Sequence, residues 1–221
     1  EVGVKLWLVD IDAKALAALA DDLRAKLGDV RTSVVDVTQR DQLKLLAQQI
    51  NTQWQGLDLL INNAGVAYYG PTHQMSEAQW DRLMGINLEA PIHLTRLLMP
   101  ALMSREGSHI VNMCSISGLV AGGRFNAYHT TKFGLVGFTE ALRAEYGRSG
   151  LGVSAICPGP VQTNLYRDCE TFSGLPDIVR SVADRNLSFF LHQFEQALSL
   201  YEFHGEEVNV DPGVRRHVDV I

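Results

Sequence analysis

The chain has 221 residues, 46% hydrophobic and 20% charged, and carries a formal net charge of −6. This composition supports one sizeable core in a single domain and excludes a disordered or fibrous protein, while the negative charge argues against nucleic acid or an anionic membrane as main partner. No apolar run approaches the ~18 residues of a membrane span, and no basic start followed by an apolar stretch marks a signal peptide. The three cysteines, Cys114, Cys157 and Cys169, lack C-x-x-C spacing and are odd in number, which points to neither a disulfide framework nor a zinc site. A reducing, cytoplasmic setting is the default expectation.

Residues 4–10 read as a short apolar strand that ends in the carboxylate of Asp10. A helix pattern follows, with Leu16, Leu19, Leu23 and Leu27 on one face and Gly28 as its stop. Residues 30–35 form a second strand running into Asp36 and Val37. Residues 41–54 read as a helix with Leu43, Leu46 and Ile50 inward. Residues 58–62 are a third strand, continuing into Asn63-Ala64-Gly65. Ser76 caps a further helix, with Gln79 as its capping-box partner. Pro91 lies near the start of a helix that reaches about Met103. A fourth strand covers 109–114, a long helix about 126–148, and a fifth strand 152–157, broken by Pro158-Gly159-Pro160.

Short apolar strands alternating with helices predict an α/β fold: a doubly wound, Rossmann-like parallel sheet with helices on both faces, three layers in all. Ligands of such sheets bind beyond the carboxyl ends of the strands. Asp10, Asp36, Asn62 to Gly65, Ser115 and the stretch 158–163 all fall at that edge.

Tyr128 and Lys132 are four residues apart, so on a helix they share a face about one turn apart. An ammonium beside a phenol favours the phenolate. Moving a tyrosine pKa from about 10 to about 7 requires roughly 4 kcal/mol, at about 1.36 kcal/mol per unit, which makes a proton donor and acceptor matched to neutral pH. Ser115, at the end of the fourth strand, is placed to hold a substrate oxygen beside Tyr128, with Ser117 as a substitute. Asp10 fits a carboxylate that accepts hydrogen bonds from the adenosine ribose hydroxyls and repels a 2′-phosphate; Asp12 is the better helix cap. Asn87, inside a helical stretch, marks a bend that would expose a main-chain carbonyl to a water linked to Lys132.

Together these motifs resemble the short-chain dehydrogenase/reductase family. The resemblance rests on Asn62-Asn63-Ala64-Gly65, Asn87, Ser115, Tyr128-x-x-x-Lys132 and Pro158-Gly159-Pro160-Val161-x-Thr163, in order and at matching intervals. It implies hydride transfer between a nicotinamide dinucleotide and the carbon of a secondary alcohol or ketone. In that reading Tyr128 is the general acid/base, Lys132 lowers its pKa and holds the nicotinamide ribose, Ser115 orients the substrate oxygen, and Asn87 anchors a proton-relay water. Asn63, Ala64 and Gly65 would lie along the cofactor, with Met113, Pro158 and Gly159 also at its site. Asp36 and Val37 would meet the adenine, and Val161 and Thr163 the carboxamide. NAD is preferred over NADP because of Asp10. The family is often dimeric or tetrameric, so a homodimer or homotetramer is expected.

Two departures qualify the resemblance. The family's first strand and its glycine-rich phosphate loop do not precede residue 4, and a sheet without that strand would carry a gap beside its third and fourth strands. An N-terminal segment outside this sequence is therefore expected. Beyond Asn164 the pattern fades: 165–204 reads as a substrate lid at 165–186 and a C-terminal helical region with a helix at 188–201, and 205–213 only faintly echoes the family's last strand. Other readings are a non-catalytic dinucleotide-binding regulator or scaffold of the same fold, an epimerase or dehydratase on nucleotide-activated sugars, and an assembly protein built on the long helices.

Overall fold

The computed structural model describes residues 4–161, Leu165, Glu170–Thr171 and Val218–Val220. The parallel α/β expectation holds over these residues. In chain order the elements are β1 (Leu6–Asp10), α1 (Ala13–Leu27), β2 (Val30–Val34), α2 (Arg40–Trp54), β3 (Leu59–Asn62), β4 (Tyr68–Tyr69), α3 (Glu77–Met84), α4 (Ala90–Met103), β5 (His109–Met113), α5 (Asn126–Tyr146), β6 (Gly152–Ile156), β7 (Glu170–Thr171) and β8 (Val218–Val220). Six strands form one sheet in the order β2-β1-β8-β3-β5-β6, while β4 and β7 form a separate parallel pair.

The sheet is parallel throughout. Alternation along β1 shows how it is sandwiched. Leu6 and Leu8 pack with Leu16 and Ala20 of α1 on one face, and Trp7 and Val9 pack with α2 and α4 on the other. Successive strand residues point to opposite faces, so both faces are covered and the fold has three layers. Trp7 meets Trp54 of α2 edge-on, ring centroids 5.3 Å apart, a favoured aromatic arrangement.

Local signals place the helices. Asp12 caps α1 by accepting from the N–H groups of Lys14 and Ala15, and Gly28, at φ 87°, ends it. Ser76 and Gln79 form the reciprocal capping box at the start of α3. Leu43, Leu46 and Ile50 are buried as expected. The leucine stripe of α1 is narrower than expected: Leu16 is buried, but Leu19 is 50% and Leu27 38% exposed. That helix packs on the sheet at β1 and β2, and among the described residues no second helix covers its flank.

The expected gap in the sheet is filled. β8 lies between β1 and β3, parallel to both, with Leu60 opposite Asp219 and Ile61 opposite Val220. Asn62 and Asn112 are buried in neighbouring strands, and Asn62 donates to Asn112. Asn62 Nδ2 reaches Thr95 Oγ1 of α4 at 3.2 Å and Asn112 Oδ1 at 2.8 Å, and Asn112 Nδ2 reaches Thr139 Oγ1 of α5 at 2.9 Å. The chain of bonds satisfies buried amides and pins both helices to the sheet in one register. The predicted lid, the 188–201 helix and the 205–213 echo fall largely or wholly outside the described residues.

Candidate active site

Tyr128 opens the first turn of α5 and Lys132 follows one turn later; both are buried. The lysine Nζ lies 5.6 Å from the centroid of the Tyr128 ring. It donates to the carbonyl of Met113, the last residue of β5, at 2.7 Å. Burial lowers the pKa of Lys132 to about 8, with the nearby thiols of Cys114 and Cys157 acting in the opposite sense. A methyl at Gly65 would sit 3.9 Å from that Nζ and 3.6 Å from Asn87 Oδ1. The loop after β3 therefore passes directly over the cation, and a side chain at Gly65 would narrow that space.

Asn87 lies in a π-helical turn, Gly85–Glu89, between α3 and α4. A lone asparagine in a helical stretch signalled a bend; the structure makes it an inserted wider turn, a form frequent at functional sites. The side chain is fully buried. Its Oδ1 accepts from Val66 N–H at 2.9 Å, and its Nδ2 donates to Val66 carbonyl at 2.8 Å and to Thr131 Oγ1 at 3.3 Å. Thr131 in turn donates to the Tyr128 carbonyl at 2.8 Å. Asn87 thus staples the Gly65–Val66 loop to the helix that carries Tyr128. Thr131 was not singled out from sequence; its position between Tyr128 and Lys132 was the available signal.

Ser115 follows β5 and caps a short turn, Ile116–Gly118, its Oγ accepting from Ser117 N–H at 3.1 Å. The turn is pressed on α5: a methyl at Gly118 would come within 2.7 Å of the Lys132 carbonyl oxygen. It is also tied to the end of β6, since Ile116 N–H donates to the Pro158 carbonyl at 2.9 Å. Ser115, Tyr128, Lys132 and Asn87 are thus gathered around one junction of β5, α5 and the π turn.

Beside this junction opens a cleft of about 550 Å³ whose wall includes Asp10, Asp36, Val37, Asn63, Ala64 and Gly65. One Asp10 oxygen accepts from Asp12 N–H at 2.8 Å. Asp36 accepts from the hydroxyl and N–H of Thr38, and these bonds hold its carboxyl below the ordinary range. Arg82 of α3 also lines the cleft, a cation that the sequence reading passed over. Pro158, Gly159 and Val161 stand past the end of β6 and do not line this cleft. Met113 turns out to hold Lys132 through its carbonyl. Thr163 lies outside the described residues. The carboxylates of Asp10 and Asp36 in the cleft wall are acceptors of the kind an adenosine ribose can meet. Among the described residues no glycine-rich loop opens a helix to cradle a dinucleotide's pyrophosphate.

A family model described as short chain dehydrogenase matches residues 1–172. The chain belongs to the short-chain dehydrogenase family. Among curated relatives, 3beta-hydroxysteroid dehydrogenase 2 of Eggerthella lenta is 37% identical over 168 residues, covering 75% of this chain and 64% of that one. D-beta-hydroxybutyrate dehydrogenase of Cupriavidus necator is 33% identical, covering 59% and 50%. The chain spans less than two thirds of the length of these relatives. A metagenomic short-chain oxidoreductase solved in complex with NADP is 31% identical, with a TM-score of 0.67 over 72% of each chain. NAD+-bound xylitol dehydrogenase shares the fold, with a TM-score of 0.68 at 21% identity over 74% of each chain.

Proposed function

We propose that this member of the short-chain dehydrogenase family is an oxidoreductase that moves a hydride between NAD(H) and a secondary alcohol or ketone. The observation that carries the reading is the meeting of Tyr128, Lys132, Asn87 and the Ser115 turn next to Gly65, which lines the cleft. The dinucleotide supplies the hydride acceptor or donor. In the oxidative direction Tyr128 Oη takes the substrate's hydroxyl proton. The Lys132 ammonium, fixed by the Met113 carbonyl, favours the phenolate that does so. Ser115 Oγ orients the substrate oxygen, and the main-chain carbonyl at Asn87 anchors the water that returns the proton to solvent. Asp10 favours NAD by repelling a 2′-phosphate. Val161 and Thr163 hold the carboxamide end of the cofactor.

The chain is read as one domain in which 165–204 is a substrate lid and C-terminal helical region. Met103 and Phe133, exposed apolar residues of α4 and α5, support assembly as a homodimer or homotetramer, and a cytoplasmic setting suits both the unpaired thiols and NAD chemistry.

Tyr128→Phe, in protein made from the full reading frame, tests the reading. Turnover of an alcohol panel should fall by about 10²–10⁴, the usual share of a positioned acid/base, while NAD affinity by fluorescence titration stays unchanged. Near-normal turnover would remove Tyr128 from the reaction. Cofactor binding without turnover in the unsubstituted protein would favour the non-catalytic regulator.

A further inference from the structure

Cys114 and Cys157 stand one residue past the ends of β5 and β6. Those strands pair in parallel register, ending with Met113 opposite Ile156, so the two cysteines are the next facing pair. The chains stay together beyond the ladder through the Ile116 to Pro158 bond. Neighbouring strands run about 4.8 Å apart, inside the roughly 4.4–6.8 Å between α-carbons that a disulfide spans. Cys114 is buried and Cys157 half-buried. Each thiol shifts the titration of the other, as side chains in facing positions do.

The surroundings treat the two sulfurs unequally. The neighbouring Cys114 thiol, the Ser115 N–H and the Lys132 ammonium favour the Cys157 thiolate, while burial and Glu140 oppose it. The net result lowers its pKa to about 7, led by the Cys114 side chain. The neighbouring Cys157 and burial push the Cys114 thiol well above the ordinary range. A half-accessible sulfur supported by donors and a cation is the setting of a reactive thiol. A protonated thiol in the facing position of the next strand is placed to resolve it.

We propose that Cys114 and Cys157 are a redox modification site, oxidised by hydroperoxides to an intramolecular disulfide beside the Tyr128–Lys132 pair. The Cys157 thiolate attacks the terminal oxygen of the hydroperoxide, the O–O bond breaks, and the alkoxide or hydroxide leaves, giving a sulfenic acid. The Cys114 sulfur then attacks the Cys157 sulfur. The S–O bond breaks, and hydroxide departs with the Cys114 proton as water. Two thiols and one hydroperoxide thus become one disulfide, one alcohol or water, and one further water. The bond ties the base of the Ser115 turn to the end of β6, and a dithiol reverses it. None of the family roles assigned above uses either sulfur.

The test is intact mass and peptide mapping after brief exposure of the reduced, full-reading-frame protein to hydrogen peroxide. The expected result is loss of two hydrogen atoms, a Cys114–Cys157 cross-linked peptide, and full reversal by dithiothreitol. Cys169→Ser should behave as the unsubstituted protein. Cys114→Ser should gain oxygen at residue 157 without cross-linking, and Cys157→Ser should lose the rapid reaction. An unchanged mass, a link through Cys169, or oxygen added to the unsubstituted protein with no cross-link would each overturn the proposal. The readout does not depend on any enzymatic activity.

Discussion

Burial of Lys132 makes its ammonium costly to the fold that uses it. Its pKa falls from 10.5 unfolded to about 8 folded, which corresponds to roughly 3 kcal/mol at about 1.36 kcal/mol per unit. The sign follows from proton counting. Between pH 8 and 10.5 the unfolded chain binds the proton more strongly than the folded one, so this group's cost is complete below pH 8 and fades as pH rises to 10.5. Lys132→Met keeps the length of the side chain and removes the charge. The variant should melt higher than the unsubstituted protein at pH 7, by an amount that shrinks towards pH 10, and should lose turnover; equal gaps in melting temperature at both pH values would contradict the burial argument. Asp10 poses the opposite case, an exposed carboxylate with one oxygen engaged by Asp12 N–H. Asp10→Ala should leave stability within about 0.5 kcal/mol, as surface changes do, and relax the preference for NAD. An unchanged NAD to NADP ratio of kcat/KM would make Asp10 a turn residue only.

At the scale of elements, the site depends on how closely the Ser115 turn is pressed to α5. Gly118 is the point of contact: a methyl there meets the Lys132 carbonyl carbon at 2.9 Å and Val136 Cγ2 at 2.9 Å. Gly118→Ala should therefore lift the turn from the helix, cost about 1–3 kcal/mol as overpacking does, and reduce turnover by displacing Ser115. Thermal melts and kcat measured together check this, and an unshifted melt would show that the turn adjusts freely. Such contacts explain which parts of the site were legible beforehand. The Ser76–Gln79 box and the Asp12 cap join residues two or three positions apart, so sequence spacing identifies them. Tyr128 and Lys132 share a helical period and were equally readable. The Lys132 bond to Met113 carbonyl spans 19 positions and involves backbone, which no residue type announces. The Asn87 bridge to Val66 and the Cys114–Cys157 pairing arise only once loops and strands are in register. For α1, periodicity named the apolar face but not whether a neighbour would cover Leu19 and Leu27.

For the whole molecule, the decisive feature is the strand in the middle of the sheet. The strand and loop signals of 4–161 foretold five parallel strands, but they left a slot between β1 and β3. β8 occupies it from the far end of the chain, with 218–220 beside 59–61. Nothing in its three residues distinguishes a central strand from any other short apolar-flanked run, which is why its place was not legible. A strand paired on both sides must donate and accept along both edges, so the sheet's two halves are coupled through it. Asp219, opposite Leu60, sits at the centre of that ladder. Proline there removes an N–H and is disfavoured in central strands. Asp219→Pro should cost about 1–3 kcal/mol, the range for a lost bond that strands its partner, or about 2–4 °C of melting temperature per kcal/mol for a chain of this size. Hydrogen exchange should quicken at the amides of β3 and β1 while those of α2 and α4 keep their protection. If neither the melt nor the exchange of β3 changed, the two halves of the sheet would be held together by their helices rather than by the strand between them.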